Sequence, residues 1–186
     1  MWNLEPLDHL PKPALHHQLA VALSHLLHGE RDFLANAANT AALLYHNLPD
    51  LNWVGLYRWI EPELVLGPFQ GKPACVRIPL GRGVCGTAAA QRKTVVVPDV
   101  HAFPGHIACD PASRSEIVIP LLVGTQLIGV WDMDSPKPHR FDETDRLGLE
   151  RLMQILLHAS WPDPVPLPEP RPLTEAPPHP HTQPGP

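Results

Sequence analysis

Long apolar runs are missing from this 186-residue chain, and no stretch approaches the ~20 residues that a membrane-spanning helix requires. Cysteine is scarce and odd in number, three in all, which argues against a secreted disulfide framework. Cationic residues are outnumbered, 14 Lys and Arg against 19 Asp and Glu for a formal charge of −5. Broad electrostatic attachment to nucleic acid is therefore disfavoured. The opening residues, MWNLEPLDHLPKP, lack the charged and apolar regions of a signal peptide. These absences lead us to expect a cytoplasmic protein with reduced thiols.

What is present fits one globular domain with a sizeable core, at 44% hydrophobic content. That domain is expected over residues 1–160, with no internal repeat and no second domain. Proline is in excess, and eleven of the 25 prolines fall within residues 161–186. Such a segment cannot make a helix or a central strand, so a solvated, disordered or polyproline-like tail is expected there. A ligand for a proline-recognition domain is the other reading of that composition.

Leucines at 15, 19, 23, 26 and 27 predict a helix over 13–28, closed by Gly29. A second helix is predicted over 30–47, ended by Pro49-Asp50. The period then changes to that of strands. Residues 52–60 and 64–69 read as a hairpin, 75–80 as a third strand and 94–97 as a fourth. Segments 117–123 and 126–132 flank Gly124-Thr125, a tight hairpin signal. The sequence FDETD from Phe141 opens a last helix to about Ser160, with Asp142 as N-cap. Helices at both ends and hairpin-joined strands between predict an α+β domain with a mainly antiparallel sheet of about six strands.

Gly81-Arg82-Gly83-Val84-Cys85-Gly86 is a literal G-x-G-x-x-G, with Asp99 placed as a ribose-binding acid would be. A dinucleotide site is nevertheless declined. The helix expected at 87–93 is short for a parallel crossover, Pro79 interrupts the strand that would have to be central, and the later strands come as hairpins. The glycines are read instead as a turn bringing Cys85 close to something.

Chemistry concentrates in the loop 99–116, DVHAFPGHIACDPASRSE, which holds Cys109, His101, His106 and three carboxylates. The cysteine spacing is Cys75, nine residues, Cys85, twenty-three residues, Cys109. It contains no C-x-x-C pair of a zinc knuckle or thioredoxin-like site. Each cysteine sits at a strand start, a glycine turn or a polar loop, where a thiol is approachable, and this suggests thiol redox chemistry. A metal enzyme using His101, His106, Cys109 and Asp110 matches no zinc spacing, and no bound metal is expected.

The blocks LGPFQGKPACVRIPLGRGVCGTA, TVVVPDVHAFPGHIACDPASRSEIVIPL and LIGVWDMDSP resemble the signature blocks of free methionine-(R)-sulfoxide reductases, which are built on a GAF-type fold. The resemblance runs from about Leu15 to Leu157. It implies a GAF-like domain in which Cys109 is the catalytic cysteine, attacking the sulfoxide sulfur to leave a sulfenic acid. It implies that Glu116 and Asp134 protonate or polarise the departing oxygen, and Asp132 holds the substrate ammonium. Trp53 and Tyr57, four residues apart on a strand, would wall the pocket for the methyl-sulfinyl end. Cys75 is the expected resolving thiol, with Cys85 a relay or a substitute, and thioredoxin or another dithiol is the expected reductant. His101 and His106 either favour the Cys109 thiolate or order the loop. A homodimer is left open. The rival reading is a GAF sensor that holds a small ligand without turning it over; three placed cysteines and the lack of an output domain speak against it.

Overall fold

The computed structural model describes residues 7, 9–107 and 110–161. In chain order the elements are α1 (Lys12–Leu26), α2 (Phe33–Asn47), β1 (Trp53–Ile60), β2 (Glu63–Gly71), β3 (Arg77–Pro79), α3 (Gly83–Gln91), β4 (Val95–Val97), β5 (Ser115–Val123), β6 (Gln126–Ser135) and α4 (Glu143–Ser160). The six strands form one sheet in the order β3-β2-β1-β6-β5-β4. Every pairing in it is antiparallel. The α+β expectation holds, and among the described residues no strand pair is parallel, so they contain no βαβ unit to carry a dinucleotide.

Alternation along the strands gives the sheet two different faces. Val54, Leu56, Ile117, Ile119, Leu121, Trp131 and Met133 point to the side covered by α1, α2 and α4, where they meet Leu19, Leu23, Leu44, Leu149 and Leu156. Burying each such side chain contributes roughly 1.5–3 kcal/mol relative to exposure, which makes this layer the principal core. The other face carries Trp53, Tyr57, Val118 and Val130 against α3, with Cys85 and Ala88 in the same cluster. This second face also brings Glu116, Asp132 and Asp134 to one cavity.

Several boundaries moved for physical reasons. α2 starts at Phe33 rather than near Glu30 because the Asp32 side chain caps it, accepting from the Ala35 amide at 2.8 Å. The Glu30 carboxylate takes the Arg31 and Asp32 amides before that point. β3 is shorter than predicted, since the Cys75 carbonyl accepts from the Tyr57 hydroxyl at 3.0 Å. At the other end, Pro79 has no amide hydrogen to offer an edge ladder. α3 begins at Gly83, not Thr87, so the glycine motif folds into its first turn.

Two glycines there are required by geometry. Gly83 enters the helix with φ +60°, and a Cβ on Gly86 would stand 2.4 Å from the Pro79 carbonyl oxygen. α4 has the predicted Asp142 cap, completed as a capping box by Asp145. Trp161, expected as the first residue of the tail, packs on Phe33 with ring centroids 4.8 Å apart. The rest of that tail lies outside the described residues.

Candidate active site

On the α3 side of the sheet, three adjacent strands bring polar or aromatic side chains to one small cavity. β1 supplies Trp53 and Tyr57, β5 supplies Glu116, and β6 supplies Asp132 and Asp134. α3 closes one flank with Val84 and Cys85, and Ile107 and Asp110 bring the long loop over it. The enclosed space is about 30 Å³, enough for a water-sized occupant. A ligand of amino-acid size needs this mouth to open.

The aromatic pair is stacked, with ring centroids 5.8 Å apart, and Phe69 continues the stack beyond Trp53 at 5.4 Å. Sharing a face is what four residues of strand period predict. Their polar tips have a second role that sequence does not show. Trp53 Nε1 donates to the Lys72 carbonyl at 3.1 Å, and Tyr57 Oη donates to the Cys75 carbonyl at 3.0 Å. The connection between β2 and β3 is thus pinned across the cavity by the residues that line it.

The carboxyls are crowded. Glu116 on β5 lies directly opposite Asp134 on β6, with Asp132 two residues along. Glu116 is 5% and Asp132 7% exposed. Burial, reinforced by Asp134, pushes the Glu116 carboxyl well above its ordinary range. Burial and then Glu116 do the same to Asp132, and burial and then Asp132 to Asp134. Burial and crowding thus favour the neutral, acid forms of these carboxyls.

Cys85 corrects an expectation. It sits in the first turn of α3 and is 4% exposed, so its thiol is not approachable from solvent. Burial raises it well above the ordinary thiol range, and Asp132 and Glu116 add to the effect. The advantage of a helix N-terminus for a thiolate is outweighed. Cys75 is half-buried and disulfide-bonded, whereas Cys85 is a free thiol. Cys109 lies outside the described residues.

The two loop histidines separate. His101 is exposed in a short 3-10 turn, its amide donating to Asp99 Oδ1 at 3.1 Å, and it does not line the cavity. His106 does, with Nε2 3.5 Å from Glu116 Oε2, and burial lowers its pKa. A neutral imidazole beside Glu116 suits ordering of the loop.

A further cluster was not anticipated. Asp110 Oδ1 accepts from the Ala112 amide at 2.9 Å and pairs with Lys72 Nζ at 3.3 Å, while Oδ2 accepts from Asn52 Nδ2 at 3.1 Å. Asn52 Nδ2 also donates to Ser113 Oγ at 2.9 Å. The Ala112 amide is the main reason that Asp110 stays below the usual carboxylate range. Asp110-Pro111 is a turn signal that could have flagged the aspartate, but its bond to Lys72 spans 38 residues. Arg82, at the N-cap of α3, brings an exposed cation to the mouth. Among the described residues, Cys85, Glu116 and Asp132 form a group able to hold a metal ion, with ligand atoms all within 4.8 Å of one another. It is a different set from the histidine-centred one weighed on sequence.

Comparison with known proteins converges on one family. The GAF domain model matches residues 16–159. The free methionine-R-sulfoxide reductase of Escherichia coli is 59% identical over 128 residues, covering 69% of this chain and 78% of that protein. The Saccharomyces cerevisiae protein of the same name is 40% identical over 157 residues, covering 80% and 87%. The X-ray structure of free methionine-R-sulfoxide reductase from Neisseria meningitidis in complex with its substrate superposes with a TM-score of 0.82. It is 47% identical and covers 86% of this chain and 96% of that one.

Proposed function

Since the chain belongs to the free methionine-R-sulfoxide reductase family of GAF domains, we propose that it reduces free L-methionine-(R)-sulfoxide to L-methionine through Cys109. The observation that carries the reading is the trio of crowded carboxyls, Glu116, Asp132 and Asp134, in one cavity with the stacked Trp53 and Tyr57. It supplies acid and an amphipathic wall in one cavity.

In the first step the Cys109 sulfur attacks the sulfoxide sulfur. Oxide is a poor leaving group, and Glu116 and Asp134, whose acid forms burial and mutual crowding favour, donate to the oxygen as the S–O bond breaks; addition of the released water to the Cys109 sulfur then breaks the new S–S bond and frees methionine. The sum is thiol plus sulfoxide giving sulfenic acid plus thioether: sulfur of the substrate is reduced by two electrons and that of Cys109 oxidised by two. Asp132 receives the substrate ammonium, whose charge favours ionisation of the buried carboxyl and offsets its desolvation. Requiring a free ammonium under a closed mouth would exclude methionine continued by peptide bonds.

The sulfenic acid then condenses with the Cys75 thiol, releasing water and forming a disulfide. That Cys75 is disulfide-bonded while Cys85 is free supports Cys75 as the resolving residue and leaves Cys85 as a buried wall of the pocket. Thioredoxin or another dithiol returns the disulfide to two thiols, consistent with a cytoplasmic location. Residues 1–160 make up the catalytic domain in this reading, with no bound cofactor.

The test is methionine release from each epimer of free and peptide-bound methionine sulfoxide, with dithiothreitol as reductant. Only the free R epimer should react. Turnover of peptide-bound substrate would contradict the proposal, as would binding of the sulfoxide with no release of methionine, the behaviour of a sensor.

A further inference from the structure

Cys85, Glu116 and Asp132 have no relation in sequence spacing, and three elements bring them together: α3, β5 and β6. Their sulfur and carboxylate oxygens lie within 4.8 Å of one another, and all three residues are buried. Tetrahedral zinc places its ligand atoms roughly 3.5 Å apart, from bonds of about 2.0 to 2.3 Å. Drawing this trio onto one ion takes a closure of at most about 1.3 Å between ligand atoms.

A second observation points the same way. Asp132 Oδ1 is buried without a hydrogen-bond partner among the described residues, in a side chain that lines the cavity. Orphaned buried acceptors are costly, and a cation is one group that would satisfy this one. The cavity of about 30 Å³ is also of a size for a single ion with a water in the fourth position.

We propose that the Cys85 thiolate, Glu116 and Asp132 bind a thiophilic divalent cation such as zinc, and that this ion and the sulfoxide substrate exclude one another. The mixed sulfur and oxygen donor set suits a borderline-soft metal and disfavours magnesium, which prefers an all-oxygen octahedron. Binding exchanges the Cys85 S–H bond and the O–H bonds of the Glu116 and Asp132 acids for bonds to the metal, and the displaced protons go to solvent. No oxidant or reductant takes part. The cation-binding half of the proposal stands on the geometry alone; mutual exclusion rests on the reductase reading, because Asp132 and Glu116 serve the substrate there.

The test uses the full chain carrying Cys75→Ser and Cys109→Ser, so that Cys85 is its sole thiol, titrated with cadmium. The sulfur-to-cadmium charge-transfer band reports thiolate ligation and is blind to the 12 histidines, which could take up metal elsewhere. A stoichiometric band is expected, abolished by adding Cys85→Ser and weakened at least tenfold by adding either Asp132→Asn or Glu116→Gln. Circular dichroism identifies any variant that has lost its fold, and the other carboxyl variant then decides.

No band in the double variant, or an affinity indifferent to both carboxyl substitutions, would overturn the site. Free methionine-(R)-sulfoxide should raise the apparent cadmium dissociation constant. Cadmium binding that ignores the sulfoxide would overturn mutual exclusion. Reductase activity of the unmodified chain without added metal is read separately, so loss of the metal site and loss of the catalytic reading remain distinguishable.

Discussion

Glu116 on β5 stands directly opposite Asp134 on β6 in the antiparallel ladder, and both line the cavity together with Asp132. Like charges paired across strands are destabilising. Burial and mutual proximity shift all three carboxyls upward, towards the neutral form in which that conflict is absent. This pairing, which costs stability when ionised, lies where the proposed reaction calls for an acid.

Stability should therefore depend on pH through this cluster. A carboxyl whose folded pKa is raised favours the native state most fully below its ordinary value, 4.5 for Glu116 and 3.8 for Asp134. That contribution is lost as pH rises through the raised value. Denaturant midpoints measured from pH 5 to pH 9 should fall on the alkaline side, and Glu116→Gln or Asp134→Asn should flatten the fall. Both variants should also lose reductase activity across the range, through the missing proton donor. An unchanged alkaline slope would remove the cluster from the account.

Asp145 behaves oppositely and on the other side of the molecule. Its carboxylate accepts from His16 Nε2 at 3.1 Å, Arg140 Nη1 at 3.0 Å and the Asp142 amide at 3.1 Å, and pairs with Lys12. These partners hold it well below the usual carboxylate range against its own burial. Its stabilisation is present above the ordinary carboxylate value and is lost as pH falls through the folded one. Asp145→Asn should destabilise by about 3 kcal/mol, the scale for breaking a buried ion pair. It should leave kcat per folded molecule unchanged, because α1 and α4 pack on the face away from the cavity. Thermal denaturation alongside the activity assay checks both statements.

Gly86→Ala makes a prediction of inverted sign. In an ordinary helix interior this change stabilises by about 1 kcal/mol. Here the new Cβ would meet the Pro79 carbonyl oxygen at 2.4 Å and the Gly81 amide nitrogen at 3.0 Å. Displacement of α3 should cost about 1–3 kcal/mol, as overpacking does, and should shift Cys85 with it. A variant as stable as the parent would mean that α3 has slack the structure does not show.

Much of the architecture was legible because local chemistry and tertiary packing agree. Asp142 caps α4 as its position before an apolar stripe predicts, Gly124-Thr125 turns β5 into β6, and the strand period puts Trp53 and Tyr57 on one face. What stayed hidden depends on register or on distant partners. Nothing local in the sequence pairs Glu116 with Asp134, joins Lys72 to Asp110, or gathers Lys12, His16 and Arg140 around Asp145. Cys85 was misjudged because a glycine-rich segment reads as an open turn, whereas Gly83 and Gly86 serve close packing that seals the thiol inside. Asp132 neighbours Trp131 in sequence but faces the cavity, while Trp131 faces the helices.

The central claim is that Cys109 takes the substrate oxygen and Cys75 resolves it. The most direct measurement is a single turnover of the Cys75→Ser chain, previously reduced and freed of reductant, with free methionine-(R)-sulfoxide and a sulfenic-acid trap. Released methionine is quantified, and the trapped residue is located by peptide mass spectrometry. Stoichiometric methionine with the adduct on Cys109, and no second turnover with thioredoxin, is the predicted result. An adduct on Cys85, or repeated thioredoxin-dependent turnover in this variant, would contradict it.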